Sequence, residues 1–243
     1  MMKLHKSDII CIYPHDRTTF FLRRIINHLK INLGDKFYYI NLKLNDRSHD
    51  DCIAAIEPLE DKLILFLGHG RSDELFGSCG DEGDNLFVNP ILLLEEKKYY
   101  NRKNFIGKEN AAIFKNKIVF SLSCNSNVIK NSIGEASVAQ GARAFIGFGD
   151  IQTDFDFDKD LSKMEVAIFK GIVVRIIKIS VLQSYLYSYT LENLVNLIKV
   201  QTNKEVYKLL LTNTRGKNKL AKELYNFKNE ILIFGDTQIR LKN

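Results

Sequence analysis

The sequence is poor in the residues that divide a chain or staple it. Only three prolines occur in 243 residues, and no Pro/Gly/Ser-rich stretch separates one part from another, which excludes domains strung on flexible linkers. The four cysteines (Cys11, Cys52, Cys79, Cys124) are far apart and never form Cys-x-x-Cys, so zinc-ribbon spacing is missing and a disulfide framework is not expected. No P-loop and no Gly-x-Gly-x-x-Gly follows a strand pattern, which argues against an α/β nucleotide-binding protein. The stretch MMKLHKSDIICIY runs into a strand pattern without the layout of a secretion signal. In VAIFKGIVVRIIKISVLQSYL, the charges of Lys170, Arg175 and Lys178 would each cost about 2.5 to 3.5 kcal/mol in hydrocarbon. The expectation is one cytoplasmic domain over residues 1–243, with reduced thiols and no membrane partner.

Apolar residues at 45% and charged residues at 26% provide for a sizeable core. The net charge of +6 is spread over many lysines with Asp runs between them, so no nucleic-acid partner is expected. Strand patterns cover DIICIY, KFYYINLKL, KLILFLG, KIVFSLS, ARAFIGFG and ILIFGDTQIRL. Helical patterns lie between them: Thr18–Leu33 stopped by Gly34, DDCIAAIEPL capped by Ser48, PILLLEEKKYY after Asn89, and Ile133–Gln140 ended by Gly141. A small hairpin or loop is expected over Arg71–Asn89, and a polar connection ahead of KIVFSLS. Two or three helices follow from about Leu161 to Ser188 and Thr190 to Thr212, the helical part (161–243) that completes the domain. Alternating strands and helices predict an α/β fold, a three-layer sandwich around a mostly parallel central sheet.

Sites in such sheets form beyond the carboxyl ends of the strands, and His69, Cys124 and Asp150 each stand at one. A strand-end cysteine alone is most often packing, and a histidine in a polar turn is most often solvated. Together they offer a thiolate nucleophile and its base, because ends of adjacent strands lie close enough for proton transfer. Gly70 allows close approach of a substrate backbone, and the N–H groups of Gly70 and Cys124 can hold an oxyanion. No third orienting residue stands out, so the expectation is a Cys124–His69 dyad.

ILFLGHG, IVFSLSCNS, IGEASVAQGARAFIGFGD and ILIFGDTQIRL, in that order, resemble the caspase-like cysteine peptidases, and among them the bacterial CHAT group. The 55 residues from His69 to Cys124 agree with a histidine about 50 residues upstream of the cysteine in caspases. The resemblance implies a caspase-like fold with His69 as base and Cys124 as nucleophile. The activity implied is endopeptidase cleavage of a protein or peptide substrate, with an activating protein partner as a further option. It also implies an effector role in antiviral defence or cell death. Two departures stand out: the Gln-Ala-Cys-x-Gly signature is replaced by Leu122-Ser123-Cys124-Asn125-Ser126, and Thr237 stands where the family commonly has proline. The first argues against cleavage after aspartate. The alternative is a catalytically silent caspase-like module that binds a protein partner.

By the same likeness the substrate pocket is a slot walled by His15-Asp16-Arg17, Leu122 and Gly149-Asp150. Asp16 and Asp150 would then face a basic side chain over an apolar floor at Leu122, and a long apolar residue is the other occupant considered. No cofactor is required. Calcium is a minor option at Asp154–Asp160 with Glu165, against which Lys159 stands where a calcium loop needs glycine. No metal site is assigned.

Overall fold

The computed structural model describes residues 2–78, 103–153 and 161–242. The helix expected over PILLLEEKKYY, the acidic stretch 154–160, Cys79 and the expected hairpin beyond Ser78 lie outside the described residues.

In chain order the elements are helix α1 (Met2–Lys6), strand β1 (Ile9–Pro14), helix α2 (Arg23–Leu33), strand β2 (Phe37–Leu42), helix α3 (Asp46–Ile56) and strand β3 (Leu63–Leu67). Strands β4 (Gly70–Arg71), β5 (Glu74–Phe76), β6 (Asn104–Gly107) and β7 (Ile118–Leu122) follow, then helix α4 (Ile133–Ala139) and strand β8 (Ala144–Gly147). Helices α5 (Lys163–Leu186), α6 (Leu191–Leu211) and α7 (Lys217–Asn229) precede strand β9 (Leu232–Gly235).

Among the described residues the main sheet has six strands in the order β2-β1-β3-β7-β8-β9. The first five run parallel, and β9 is antiparallel to β8. Strands β4, β5 and β6 form a small antiparallel sheet that leaves the main one directly after His69. The mixed α/β architecture with a mostly parallel sheet is thus the one the alternating patterns required.

The continuous apolar strands have a physical reason, since both sheet faces are covered. Odd-numbered residues of β1 and β3 (Ile9, Cys11, Leu63, Leu65, Leu67) pack with Ile25 and Leu29 of α2 and with α5, α6 and α7 in one core. Even-numbered ones (Ile10, Ile12, Ile64, Phe66) pack with Cys52 and Ile56 of α3 and Ile133 of α4 in the other. A fully buried aliphatic or aromatic side chain contributes about 1.5–3 kcal/mol, so the two cores fix each strand's register against a one-residue slip.

Helix α2 ends as expected at Gly34, whose φ of 53° places it in the left-handed region. Helix α3 begins earlier than the sequence pattern suggested. Its cap is Asn45, whose side chain accepts the Ser48 N–H at 2.8 Å, while Ser48 Oγ accepts from Lys43 N–H at 3.0 Å. The polar connection before β7 contains β6 and a 3₁₀ helix, Lys108–Phe114, which are too short to show a period. The helical segment after residue 161 resolves into three helices, the first two capped by Ser162 and Thr190.

Candidate active site

Strands β3 and β7 are parallel neighbours whose partners run from Leu63 with Ile118 to Leu67 with Leu122, a constant offset of 55 residues. His69 and Cys124 share that offset, so each stands two residues past the last rung at the same level of the sheet. The two segments stay together beyond the ladder, since a Cβ on Gly70 would stand 3.0 Å from Ser123 Oγ and 2.9 Å from the Glu74 carbonyl. Both side chains are partly open to solvent, that of His69 to 31%.

Local structure explains each position. His69 lies between the end of β3 and the start of β4, and its carbonyl accepts Phe76 N–H at 3.0 Å, which ties it to β5. Cys124 lies between the end of β7 and Asn125, whose φ of 55° turns the chain sharply. Ser126 anchors that turn: its hydroxyl donates to Ser123 O at 3.0 Å and accepts Phe148 N–H at 2.9 Å, and Asn125 N–H donates to Gly149 O at 3.0 Å. The small residues of SLSCNS thus lash the cysteine to the segment just past β8.

Thr18, which the sequence reading missed, completes the arrangement. Asp16 Oδ1 accepts the Thr18 N–H at 2.6 Å, an Asx turn, and the Thr18 hydroxyl at 2.5 Å. Thr18 Oγ1 also lies 2.5 Å from His69 Nε2, with Asp16 Oδ1 3.5 Å from the same nitrogen. A hydroxyl has one proton, and the carboxylate takes it, so Oγ1 must accept from Nε2–H. Neutral His69 is therefore the Nε2–H tautomer, and Nδ1 is its basic nitrogen. The clue available in the sequence was Asp-x-Thr directly after a strand that neighbours the His-Gly strand.

The thiols differ. Cys11 is fully buried and burial pushes its pKa well above the ordinary thiol value; the same cause pushes Cys52 up to about 12. Cys124 is partly exposed, and its Sγ–H donates to Ile151 O at 3.4 Å.

The expected slot positions part company. Leu122 lines a cavity beside Cys124, as do Thr19 from the turn after β1 and Ile151 beyond β8. Asp16 instead sits against Thr18 and His69, and Asp150 is exposed, its backbone N–H donating to Glu230 Oε2 at 3.2 Å. Neither is among the described residues that line the cavity. Among the described residues no group of three His, Cys, Asp or Glu side chains gathers to hold a metal. No helix among them is long and apolar enough to cross a membrane.

No protein-family model and no curated protein matches the chain.

Proposed function

We propose that the chain is a cysteine endopeptidase of the caspase-like class, cleaving a protein through Cys124 and His69. The observation that carries this is the shared level of His69 and Cys124 on neighbouring parallel strands, with Nε2 of the histidine held by Thr18 and Asp16. The places that the four stretches behind the resemblance take in the fold support this reading. They are two neighbouring strand ends, the helix and strand after them, and a closing Gly235-Asp236 turn in which Gln238 N–H donates to Asp236 Oδ1 at 2.8 Å.

In this mechanism Nδ1 of His69 takes the Cys124 thiol proton, and the thiolate attacks the scissile carbonyl carbon. The oxyanion is held by the N–H groups of Gly70 and Cys124. His69 Nδ1–H protonates the departing amine as the C–N bond breaks, leaving a thioester. A water then deprotonated by His69 releases the acid and restores the thiol. Asp16 near Nε2 stabilises the imidazolium that exists between these transfers. By the same likeness, the role proposed is that of a defence or cell-death effector acting on a protein substrate.

The second reading, a silent binding module, draws on the bond from Cys124 Sγ–H to Ile151 O, which directs the thiol proton away from His69. Labelling by a thiol-reactive peptide probe separates the two readings. Catalytic use expects Cys124 to label at least ~10-fold faster in the wild type than in His69→Ala. Equal rates in both would sink the peptidase.

A further inference from the structure

The cavity beside Cys124 is small and apolar. Its walls include Phe21, Leu22, Leu122, Ile151 and Val173, and its volume is about 10 Å³, room for about one water. We infer that this cavity selects a small aliphatic side chain, of alanine or valine size, in the residue before the scissile bond, with Val173 of α5 as its inner wall. This rests on the peptidase reading, and it replaces a charged slot with an uncharged one.

Charge decides first. None of the described residues lining the cavity is ionisable except Cys124 itself. Two of the hydroxyl residues lining it are engaged within the protein: Thr19 Oγ1 donates to Asp16 O at 3.2 Å, and Ser123 pairs with Ser121 at 2.8 Å. Among the described residues a lysine or arginine head placed there would meet no carboxylate, so they would not offset the desolvation it costs. An aspartate would likewise meet no cation among the described lining residues.

Size decides next. Val173 is fully buried, and Leu22 and Leu122 are 3% and 2% exposed, all within one core cluster, so that side cannot recede without opening packed core. Phe21 forms the outer side, with the Lys170 ammonium 4.8 Å from its ring centroid. A methyl or isopropyl group fills such a space with small adjustments. A leucine, methionine or longer chain must displace a wall, and overpacking of this kind opposes binding.

The test is a series of peptidyl acyloxymethyl ketones differing only in the residue next to the warhead: Ala, Val, Leu, Met, Lys and Asp. The rate of Cys124 modification is followed by intact mass and normalised in each variant to its iodoacetamide rate. Alanine or valine should react at least ~10-fold faster than leucine or methionine, and ~100-fold faster than lysine or aspartate. Val173→Ala should move the optimum toward leucine or methionine. A wild-type optimum at leucine, methionine, lysine or aspartate overturns the selectivity and leaves the peptidase standing. If, before that normalisation, every peptide reacts at one rate in both wild type and His69→Ala, the peptidase reading falls and the selectivity with it.

Discussion

Thr18 Oγ1 lies 2.5 Å from His69 Nε2 while donating its own proton to Asp16 Oδ1, so three residues from two neighbouring strand ends form one directional chain. The carboxylate fixes the hydroxyl, the hydroxyl fixes the imidazole tautomer, and the unprotonated Nδ1 is left for proton transfer. Because Thr18 N–H is also held by Asp16, the hydroxyl is positioned by backbone as well as side chain.

Substituting Thr18 separates orientation from nucleophilicity. Thr18→Ala removes a hydrogen bond worth about 1.5–3 kcal/mol when its donor becomes charged, so kcat/KM for a cleavable peptide should fall roughly 10- to 100-fold. Thr18→Ser keeps the hydroxyl and should restore most of the activity. Steady-state kinetics of the two variants side by side tests this. An alanine variant as active as the serine variant would remove Thr18 from the mechanism.

Asp16→Asn keeps an oxygen that can accept the Thr18 N–H, so the turn after β1 should persist while the negative charge near Nε2 is lost. The expected result is a fall in kcat/KM with the denaturation midpoint nearly unchanged, measured by kinetics and urea unfolding. A large loss of stability with full residual activity per folded molecule would assign Asp16 to the fold alone.

The thiols should sort by exposure. At pH 8, burial leaves Cys52, with its pKa near 12, ~10⁻⁴ thiolate, and Cys11 is shielded likewise. Iodoacetamide mapping by mass spectrometry should modify Cys124 well before either, and all three should react alike in denaturant. Rapid native modification of Cys11 or Cys52 would contradict the packing of β1 or α3.

Gly147→Ala should destabilise the protein by about 1–3 kcal/mol, because the new Cβ would lie 2.1 Å from the Ser126 carbonyl oxygen, a backbone atom that cannot rotate away. The turn after Cys124 would have to shift, so the proposed peptidase activity should fall along with the unfolding midpoint. An unchanged midpoint would mean that this turn does not press on β8.

The capping box at the start of α5 makes an acid-sensitive contribution. Ser162 N–H donates to Glu165 Oε2 at 2.7 Å, and the hydrogen bonds from the Ser162 backbone and side chain hold the carboxyl below the ordinary glutamate range. A carboxyl with a lowered folded pKa stabilises the fold above its unfolded pKa and loses that contribution as pH falls through the folded value. Gln can still accept the Ser162 N–H, so Glu165→Gln should cost only the first-turn charge, about 0.3–1 kcal/mol at pH 7 and distinctly less at pH 3, measured by denaturant titration at both values. An equal cost at both would show that ionisation plays no part.

Much of the site could be read along the chain because parallel-sheet strands carry their own mark. ILFLGHG and IVFSLSCNS are continuous apolar runs ending in small polar residues, and strands of this kind end where sites form. Asp16 is legible as a candidate slot residue but not as a neighbour of His69, since that depends on β1 lying beside β3, and the 51 residues from Thr18 to His69 leave no periodic trace. Ser48 misled for a local reason: two good capping residues lie three apart, and only the extended backbone of Asn45 (φ −163°, ψ 152°) decides between them.

The sequence by itself determined the alternation of buried strands and amphipathic helices, the stop at Gly34, and the placement of one histidine and one cysteine just past strand ends. Those features depend on residue type and on spacing within a few positions. The tertiary structure alone decided which strands became neighbours, and with that the common level of His69 and Cys124. It also decided that Asp16 turns toward the imidazole and that Val173, from a helix 49 residues beyond Cys124, walls the cavity. Those outcomes follow from packing two cores against one sheet, where contacts join residues that local periodicity cannot relate.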